Sequence, residues 1–393
     1  MNILFLFARP IIPHMGGVQR VTHMLAEEML CRGYNVVFLS TGYDYRTGNN
    51  ENDVNATIAK QYFLISKNNK DVITKEYQDI LKEENIDIVI NQMPHCDTDY
   101  LLSITPKEIR KISCIHIQPF NTQTYPEELL KYTKGKTWKE KLYISFCRLF
   151  PNYYKKKTRD VEHARLKNAL TVSDYLCLLS EHYIPRVLKY MPQADEKKLI
   201  AVNNPAEVID FDIKECKKEK IILWVGRVTN NPKNIPAFID VWNIMSKKNT
   251  DWKAIIIGDG PDLEYNKEYA KKRNVERLEF AGRQQNVAQF YNKAAFSGIT
   301  SISEGWGMTI VEAMSYGCVP FVYDTYESLH NIIDDNKNGI IVKPFNKEEM
   351  IQRIQEIIDN KDKYVAVQQN AIEKVKTFSI EKIVDKWEEI FKL

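Results

Sequence analysis

Short apolar runs alternate with amphipathic stretches along this chain, and the alternation starts over once. "NILFLFA" at the N-terminus leads through a glycine turn into "VQRVTHMLAEEMLCRG", where Val21, Met24, Leu25 and Leu30 recur on one face. "NVVFLS", "IDIVINQ", "ISCIHIQ" and "YLCLLS" follow as strand-like runs. Runs rich in Ile and Val, spaced by helical stretches, predict parallel sheets covered on both faces. After about residue 205 a second series begins with "KIILWVGR". It continues through "WKAIIIGDG", "RLEFAG", "SGITSIS", "CVPFVYD" and "GIIVKP". Asn346 marks the start of the helix "NKEEMIQRIQEIIDN".

The expected division is therefore an N-terminal α/β domain over 1–204 and a second over 205–375. "AVNNPAEVIDFD" forms the hinge, because Asn204 and Pro205 interrupt the pattern. The amphipathic helix in 376–393 has an open docking, one choice being back onto the first domain. Open sheets of this kind bind ligands at the carboxyl ends of their strands, so two of them are expected to face each other across a cleft.

Length supports the same count: 393 residues at roughly 150 per domain make two. Net charge is +3, too small to mark a nucleic-acid binder. The seven cysteines contain no Cys-x-x-Cys pair, which favours free thiols over a disulfide or zinc scaffold. The apolar N-terminus lacks a basic leader and reads as a buried strand. No apolar run is long enough to span a bilayer. A cytoplasmic protein is expected.

Candidate site residues cluster where strands should end. Gly16 and Gly17 precede the first helix, where free N–H groups favour an anion or glycine simply makes a tight turn. No G-x-G-x-x-G fingerprint or P-loop is present. Gly226 ends a strand, Arg227 follows, and Lys233 lies just before the next helix. These two cations either clamp a diphosphate or belong to a solvated loop. Gly258 and Gly260 in "IIGDGPDL" allow close backbone approach at the next strand end. In "SEGWGMTIVEAMSYGCVP", Glu304 precedes a turn containing Gly305 and Gly307, and Glu312 falls in the helix that follows. Each acid either accepts from ligand hydroxyls or serves as a helix-start or surface acid.

At these residues the chain resembles the retaining glycosyltransferases of family four, which have the GT-B fold of two Rossmann-like domains. The resemblance rests on "EGWGMTIVE", with two Glu separated by seven residues. It also rests on "VGR", a lysine before the next helix, "GDGP", "EAMSYGCVP", the N-terminal "GGVQR" and "LLSEHY". It is strongest in the second half and weaker over about 45–200, the side that faces the acceptor in that family. The resemblance implies transfer of a sugar from a nucleoside-diphosphate sugar to an acceptor hydroxyl, with anomeric configuration kept and no metal ion or other cofactor.

By that resemblance Arg227 and Lys233 hold the pyrophosphate, and Gly17 offers its N–H to a phosphate. Glu304 contacts the donor sugar, and Glu312 binds the ribose. The backbone of Gly305, Trp306, Gly307, Met308 and Thr309 closes on the donor. His116 in "ISCIHIQPF" occupies the place of a family histidine that meets a sugar hydroxyl, or is a histidine satisfied in a loop. His14, Asn91 and Gln92 are acceptor-side candidates. The chain departs from the family pattern at "VNNPAEVID" and in placing Lys233 one residue late, beside Pro232. Two other functions fit the architecture: a nucleotide-sugar epimerase or hydrolase, and a non-catalytic nucleotide-sugar binder. The first would want more acids and histidines in the first domain. The second sits poorly with Arg227, Lys233, Glu304 and Glu312 all in place.

One segment stands apart. Residues 131–159 hold ten Lys or Arg and one Glu, with Trp138, Leu142, Phe146, Leu149 and Tyr153 at spacings of three or four. Such a helix either lies on an anionic membrane surface or packs its stripe on the protein and turns its lysines to water. The membrane reading suits a lipid-linked glycan acceptor on the inner face of a bacterial plasma membrane.

Overall fold

The computed structural model describes residues 1–13, 16–42, 58–64, 69–209 and 217–393. His14 lies outside them.

The first unit comprises Met1–Phe120, Arg159–Pro205 and Ile380–Leu393. Its seven parallel strands are β1 (Asn2–Phe7), β2 (Asn35–Ser40), β3 (Lys60–Phe63), β4 (Ile88–Asn91), β5 (Arg110–Ile115), β6 (Tyr175–Leu178) and β7 (Leu199–Ala201). Their order is β3-β2-β1-β4-β5-β6-β7. The central strands are apolar on both faces because helices cover both. Leu4, Leu6, Val37, Leu39 and Val89 share one core with Tyr77 and Leu81 of the helix Lys70–Glu83. The terminal helix Ile380–Phe391 buries Ile383, Val384, Trp387 and Ile390. Arg32, at the end of the first helix, donates to Asp385 (2.7 Å), Glu388 (3.1 Å) and the Glu381 carbonyl (2.8 Å).

The second unit comprises Asn121–Thr158 and Ala206–Ser379. Its six parallel strands are β8 (Glu219–Val225), β9 (Lys253–Ile257), β10 (Leu278–Gly282), β11 (Ala294–Ile299), β12 (Val319–Tyr323) and β13 (Ile340–Val342). They follow the order β10-β9-β8-β11-β12-β13. In both sheets the order reverses beside the first strand, between β1 and β4 and between β8 and β11. Helices flank the crevice at such a point, and ligands of open α/β sheets sit there. The core packs Trp224, Phe238, Trp242, Phe296 and Phe321 between the sheet and its helices.

These contacts divide the chain differently from a single boundary at 204/205. Residues 121–158 join the second unit because the helix Pro126–Tyr132 docks on the loop after β8. There Asn231 Nδ2 donates to the Leu129 carbonyl (3.0 Å) and to Thr133 Oγ1 (2.8 Å). The segment 131–159 is also not one helix. Helices Trp138–Leu149 and Pro151–Val172 meet at Phe150, since proline cannot continue a helix from within. Ile144 and Cys147 form the buried face of the first helix. Trp138, Leu142, Phe146, Leu149, Phe150 and Tyr153 are exposed, Trp138 at 67% and Leu149 at 76%.

Candidate active site

The second unit builds its site from the ends of β8, β9 and β11. After β8 the chain passes Gly226 and the exposed Arg227. Gly258, just past β9, has φ +138, and a side chain there would strike the Gly226 carbonyl oxygen. Glycine is required because two strand ends touch backbone to backbone. The Val228 amide then donates to the Asp259 carbonyl (3.0 Å), and the Asp262 amide to the Val228 carbonyl (3.1 Å). Val228 also crowds Gly260, where a Cβ would meet its carbonyl.

The loop from Thr229 to Asn234 carries Lys233. The Ile302 amide donates to the Pro232 carbonyl (2.7 Å), and Thr300 Oγ1 to the Asn234 carbonyl (3.0 Å). These bonds bring the loop to the end of β11, where Glu304 lies. Lys233 Nζ pairs with Glu304 Oε1 at 2.5 Å, with side chains 23% and 14% exposed. Ser301 Oγ donates to the same oxygen at 2.6 Å. Ser301 is itself held, its carbonyl accepting from Thr325 Oγ1 at 2.7 Å. A cation and an acid are thus fixed together at the switch point of the sheet.

Gly307 caps the helix Met308–Ser315 with φ +101, a left-handed conformation that glycine adopts without strain. Its neighbours Met308 and Thr309 are half-buried. The Gly305 carbonyl accepts from Ser328 Oγ (3.1 Å), so the turn is anchored from outside. Glu312 lies in the second turn of that helix, and Tyr291 Oη donates to it at 3.4 Å. Trp306 differs from the rest of the turn. Its indole is buried edge-on against Phe378 (5.3 Å), and Nε1 has no hydrogen-bond partner. Only its backbone is available to a ligand.

In the first unit, Gly17 begins the exposed N-terminus of a 15-residue helix, Gly17–Cys31. Asn91, at the end of β4, is fully buried. Its amide donates to Thr98 Oγ1 (3.2 Å), and its Oδ1 accepts from the Met93 amide (3.1 Å). That side chain shapes a turn. Gln92 follows it, and its Oε1 accepts from His116 Nε2, just past β5, at 2.5 Å. His116 Nδ1 and Gln92 Nε2 are buried with no partner. Burial pushes the His116 pKa down to about 4. The ring is neutral near pH 7, and with Nε2 donating, Nδ1 presents a lone pair.

Sequence reasoning did not find a cavity of about 470 Å³ at the ends of β1, β2 and β4, lined by Arg9, Thr41, Lys70, His95 and Tyr100 among others. These residues are scattered in sequence and follow no motif. It also missed Ser301, whose only signal was its place three residues before Glu304. Among the described residues no group of three or more His, Cys, Asp or Glu could hold a metal ion. None of their helices is long and apolar enough to cross a membrane.

The family model "Glycosyl transferases group 1" matches residues 206–374. An uncharacterized glycosyltransferase of Haemophilus influenzae is 23% identical over 95% of this chain and 96% of its own length. A Campylobacter jejuni enzyme is 24% identical over 49% of this chain, which spans 54% of that relative. Its name makes it an alpha-1,4-N-acetyl-D-galactosaminyltransferase acting on GalNAc-alpha-(1->4)-GalNAc-alpha-(1->3)-diNAcBac-PP-undecaprenol. Among solved structures, a mutant of S. aureus TarM in complex with Fondaparinux, alpha-GlcNAc-glycerol and UDP aligns over 100% of both chains, with TM-score 0.74 and 14% identity.

Proposed function

We propose, from the premise that this chain is a GT-B glycosyltransferase related to the glycosyl transferases group 1, that it is a retaining enzyme acting on a nucleoside-diphosphate sugar. The acceptor is a hydroxyl of a glycan, lipid-linked, in bacterial surface-polysaccharide synthesis. The observation that carries this reading is the Lys233–Glu304 pair at the switch point between β8 and β11, supported by Ser301.

Transfer breaks the bond between the anomeric carbon and the diphosphate, and negative charge gathers on the leaving group. Fixed cations lower that barrier most, because they need no reorganisation as the charge appears. Lys233 has three donors and spends one on Glu304, so it can reach a phosphate without leaving its carboxylate. Arg227, exposed at the neighbouring strand end, supplies a second, forked donor. Glu304 takes hydroxyls of the donor sugar, Glu312 those of the ribose, and the Gly305–Thr309 backbone closes on both. Gly17 offers an amide to a phosphate. His116, oriented by Gln92, is the first unit's candidate for a sugar hydroxyl. Cationic side chains do the work a metal would do, so catalysis is metal-independent.

The exposed stripe from Trp138 to Tyr153 supports attachment to an anionic membrane on its cytoplasmic side. Contiguous exposed apolar patches rimmed by charge mark interaction surfaces, and the chemistry here suits anionic lipid. The Campylobacter jejuni relative, named for an acceptor on PP-undecaprenol, supports a lipid-linked acceptor.

Replacement tests the site. Lys233→Ala and Arg227→Ala should each cost about 100-fold or more in turnover at saturating donor, with the fold intact. Activity should survive EDTA. Wild-type turnover in both variants would remove these cations from the site. Loss with EDTA and recovery with Mg²⁺ or Mn²⁺ would overturn the metal-free reading.

A further inference from the structure

The loop that carries Lys233 has little regular structure of its own. Asn231 is extended (φ −108, ψ 115), and Asn234 is left-handed (φ 49). A lysine on such a loop stays in one place only if the loop is anchored from several sides. The inner anchors are the bonds to Thr300 and Ile302 already described. The outer anchors come from about a hundred residues earlier in the chain, outside the part the family model matches.

The outer anchors converge on Asn230 and Asn231. The end of the helix Pro126–Tyr132 accepts both hydrogens of the Asn231 amide, at the Leu129 carbonyl (3.0 Å) and Thr133 Oγ1 (2.8 Å). The Thr133 hydroxyl donates in turn to the Leu129 carbonyl (2.8 Å), which orients its lone pairs toward Asn231. One residue on, Lys134 pairs with Asp262 Oδ1. The other carboxylate oxygen of Asp262 accepts from the Asn230 amide at 2.8 Å. Asp262 is 7% exposed on its side chain and Lys134 61%, so the pair closes a buried acid from its solvent side. The helix end is fixed too. Arg148 donates from Nε to the Leu130 carbonyl (3.0 Å) and from Nη2 to the Thr133 carbonyl (2.9 Å).

We infer that Thr133 and Lys134 are positioning residues, forming a strap that holds the 229–234 loop and so sets the place of Lys233. The inference rests on the diphosphate role proposed above for Lys233. A polar bond of this kind is worth about three- to tenfold in the closed-to-open ratio of the loop it holds. Two such anchors bear on adjacent residues, so their loss should be felt locally.

Hydrogen exchange on the ligand-free protein reads the strap without any substrate. Thr133→Val keeps the volume and removes the acceptor, Thr133→Ser keeps the hydroxyl, and Lys134→Met removes the charge. In Thr133→Val and Lys134→Met, a peptide covering 229–234 should exchange about three- to tenfold faster than in the wild type. Peptides over β8 and over Met308–Ser315 should not change, and Thr133→Ser should match the wild type. UDP and GDP, titrated separately, then probe the site. Thr133→Val should weaken whichever binds, and the same substitution should add nothing in a Lys233→Ala background. Wild-type exchange of the loop in both variants would overturn the strap. So would Thr133→Ser behaving like Thr133→Val, or all of the second unit loosening equally. A looser loop with unchanged nucleotide affinity would leave the strap and remove the diphosphate role from Lys233.

Discussion

Lowering the pH from 7 to 5 should destabilise the first unit through one histidine. His116 donates to Gln92 and keeps Nδ1 in a buried place with no partner, so a proton added there finds no acceptor. Burial holds its pKa at about 4, against 6.5 for a free imidazole. The sign follows from which state binds the proton. Between these values the unfolded chain is protonated and the folded chain is not. Stability is therefore complete above about pH 6.5 and is lost as the pH falls toward 4. The whole effect is about 3 kcal/mol, from roughly 2.5 units at 1.36 kcal/mol each, and about 2 kcal/mol of it appears between pH 7 and pH 5. Urea unfolding of wild type and His116→Asn at both pH values isolates this group from the other titrations. The variant should lose about 2 kcal/mol less on acidification. An NMR titration of the histidine rings should show one resonance moving near pH 4 that is missing from His116→Asn. A ring at position 116 titrating near 6.5, with both proteins equally acid-sensitive, would refute the reasoning.

The two acids should separate in kinetics. Glu312→Gln should raise the donor KM about tenfold with little change in kcat, because the ribose contact proposed for it would be made in both ground and transition states. Glu304→Gln should lower kcat about tenfold or more, because its pair with Lys233 and the sugar contact proposed for it would matter most as charge develops. The reverse pattern in steady-state measurements would exchange the roles. On vesicles containing anionic lipid the protein should pellet, and less so in high salt, since each cation near such a surface contributes about 1 kcal/mol. Leu142→Asp with Leu149→Asp, or Lys155, Lys156 and Lys157 changed to Glu, should reduce pelleting and leave donor hydrolysis intact. Equal pelleting on neutral and anionic vesicles would exclude the electrostatic part.

What could be read from the sequence followed the strength of local signals. All six strands of the second sheet and five of the first stood out as apolar runs. The two missed strands, β3 and β7, lie at the sheet edges, and they are only four and three residues long. β3 reads "KQYF" and is partly exposed, so no buried run announces it. The start of β11 was displaced because Ala294 and Ala295 continue a helical pattern as easily as a strand. Asn346 was legible as a cap, since its side chain accepts from the Glu349 amide three residues on (3.1 Å). Glu304 and Lys233 were legible as a motif, but their contact was not, because 71 residues separate them. Asn91 looked like a ligand residue at a strand end, yet its amide is consumed by its own turn. The placement of 121–158 was invisible for a related reason. It depends on side-chain contacts between distant residues, among them the bonds of Asn231, the Lys134–Asp262 pair and the edge contact of Tyr125 with Phe345 (5.1 Å), none of which has a period.

The stripe and the strap belong to the same piece of chain, and that sharpens both readings. A period of three to four residues in 138–153 is shared by a buried face, built on Ile144 and Cys147, and an exposed one. The periodicity alone could not say which face the aromatics would take. The structure turns Trp138, Leu142 and Leu149 outward, while Phe146 packs its ring at a tilt on Phe150 (4.8 Å) and edge-on to Tyr153 (5.3 Å), both exposed. Apolar surface left in water contributes no burial to the free protein, and burial is what the proposed membrane attachment would supply. The cations along the same helices favour an anionic cover. Arg148, on the helix that bears the stripe, also grips the carbonyls of Leu130 and Thr133. From Thr133 the bonds run to Asn231 and the loop of Lys233. The element proposed to meet a lipid surface and the strap proposed to hold the loop of Lys233 are thus joined by two residues, Arg148 and Thr133.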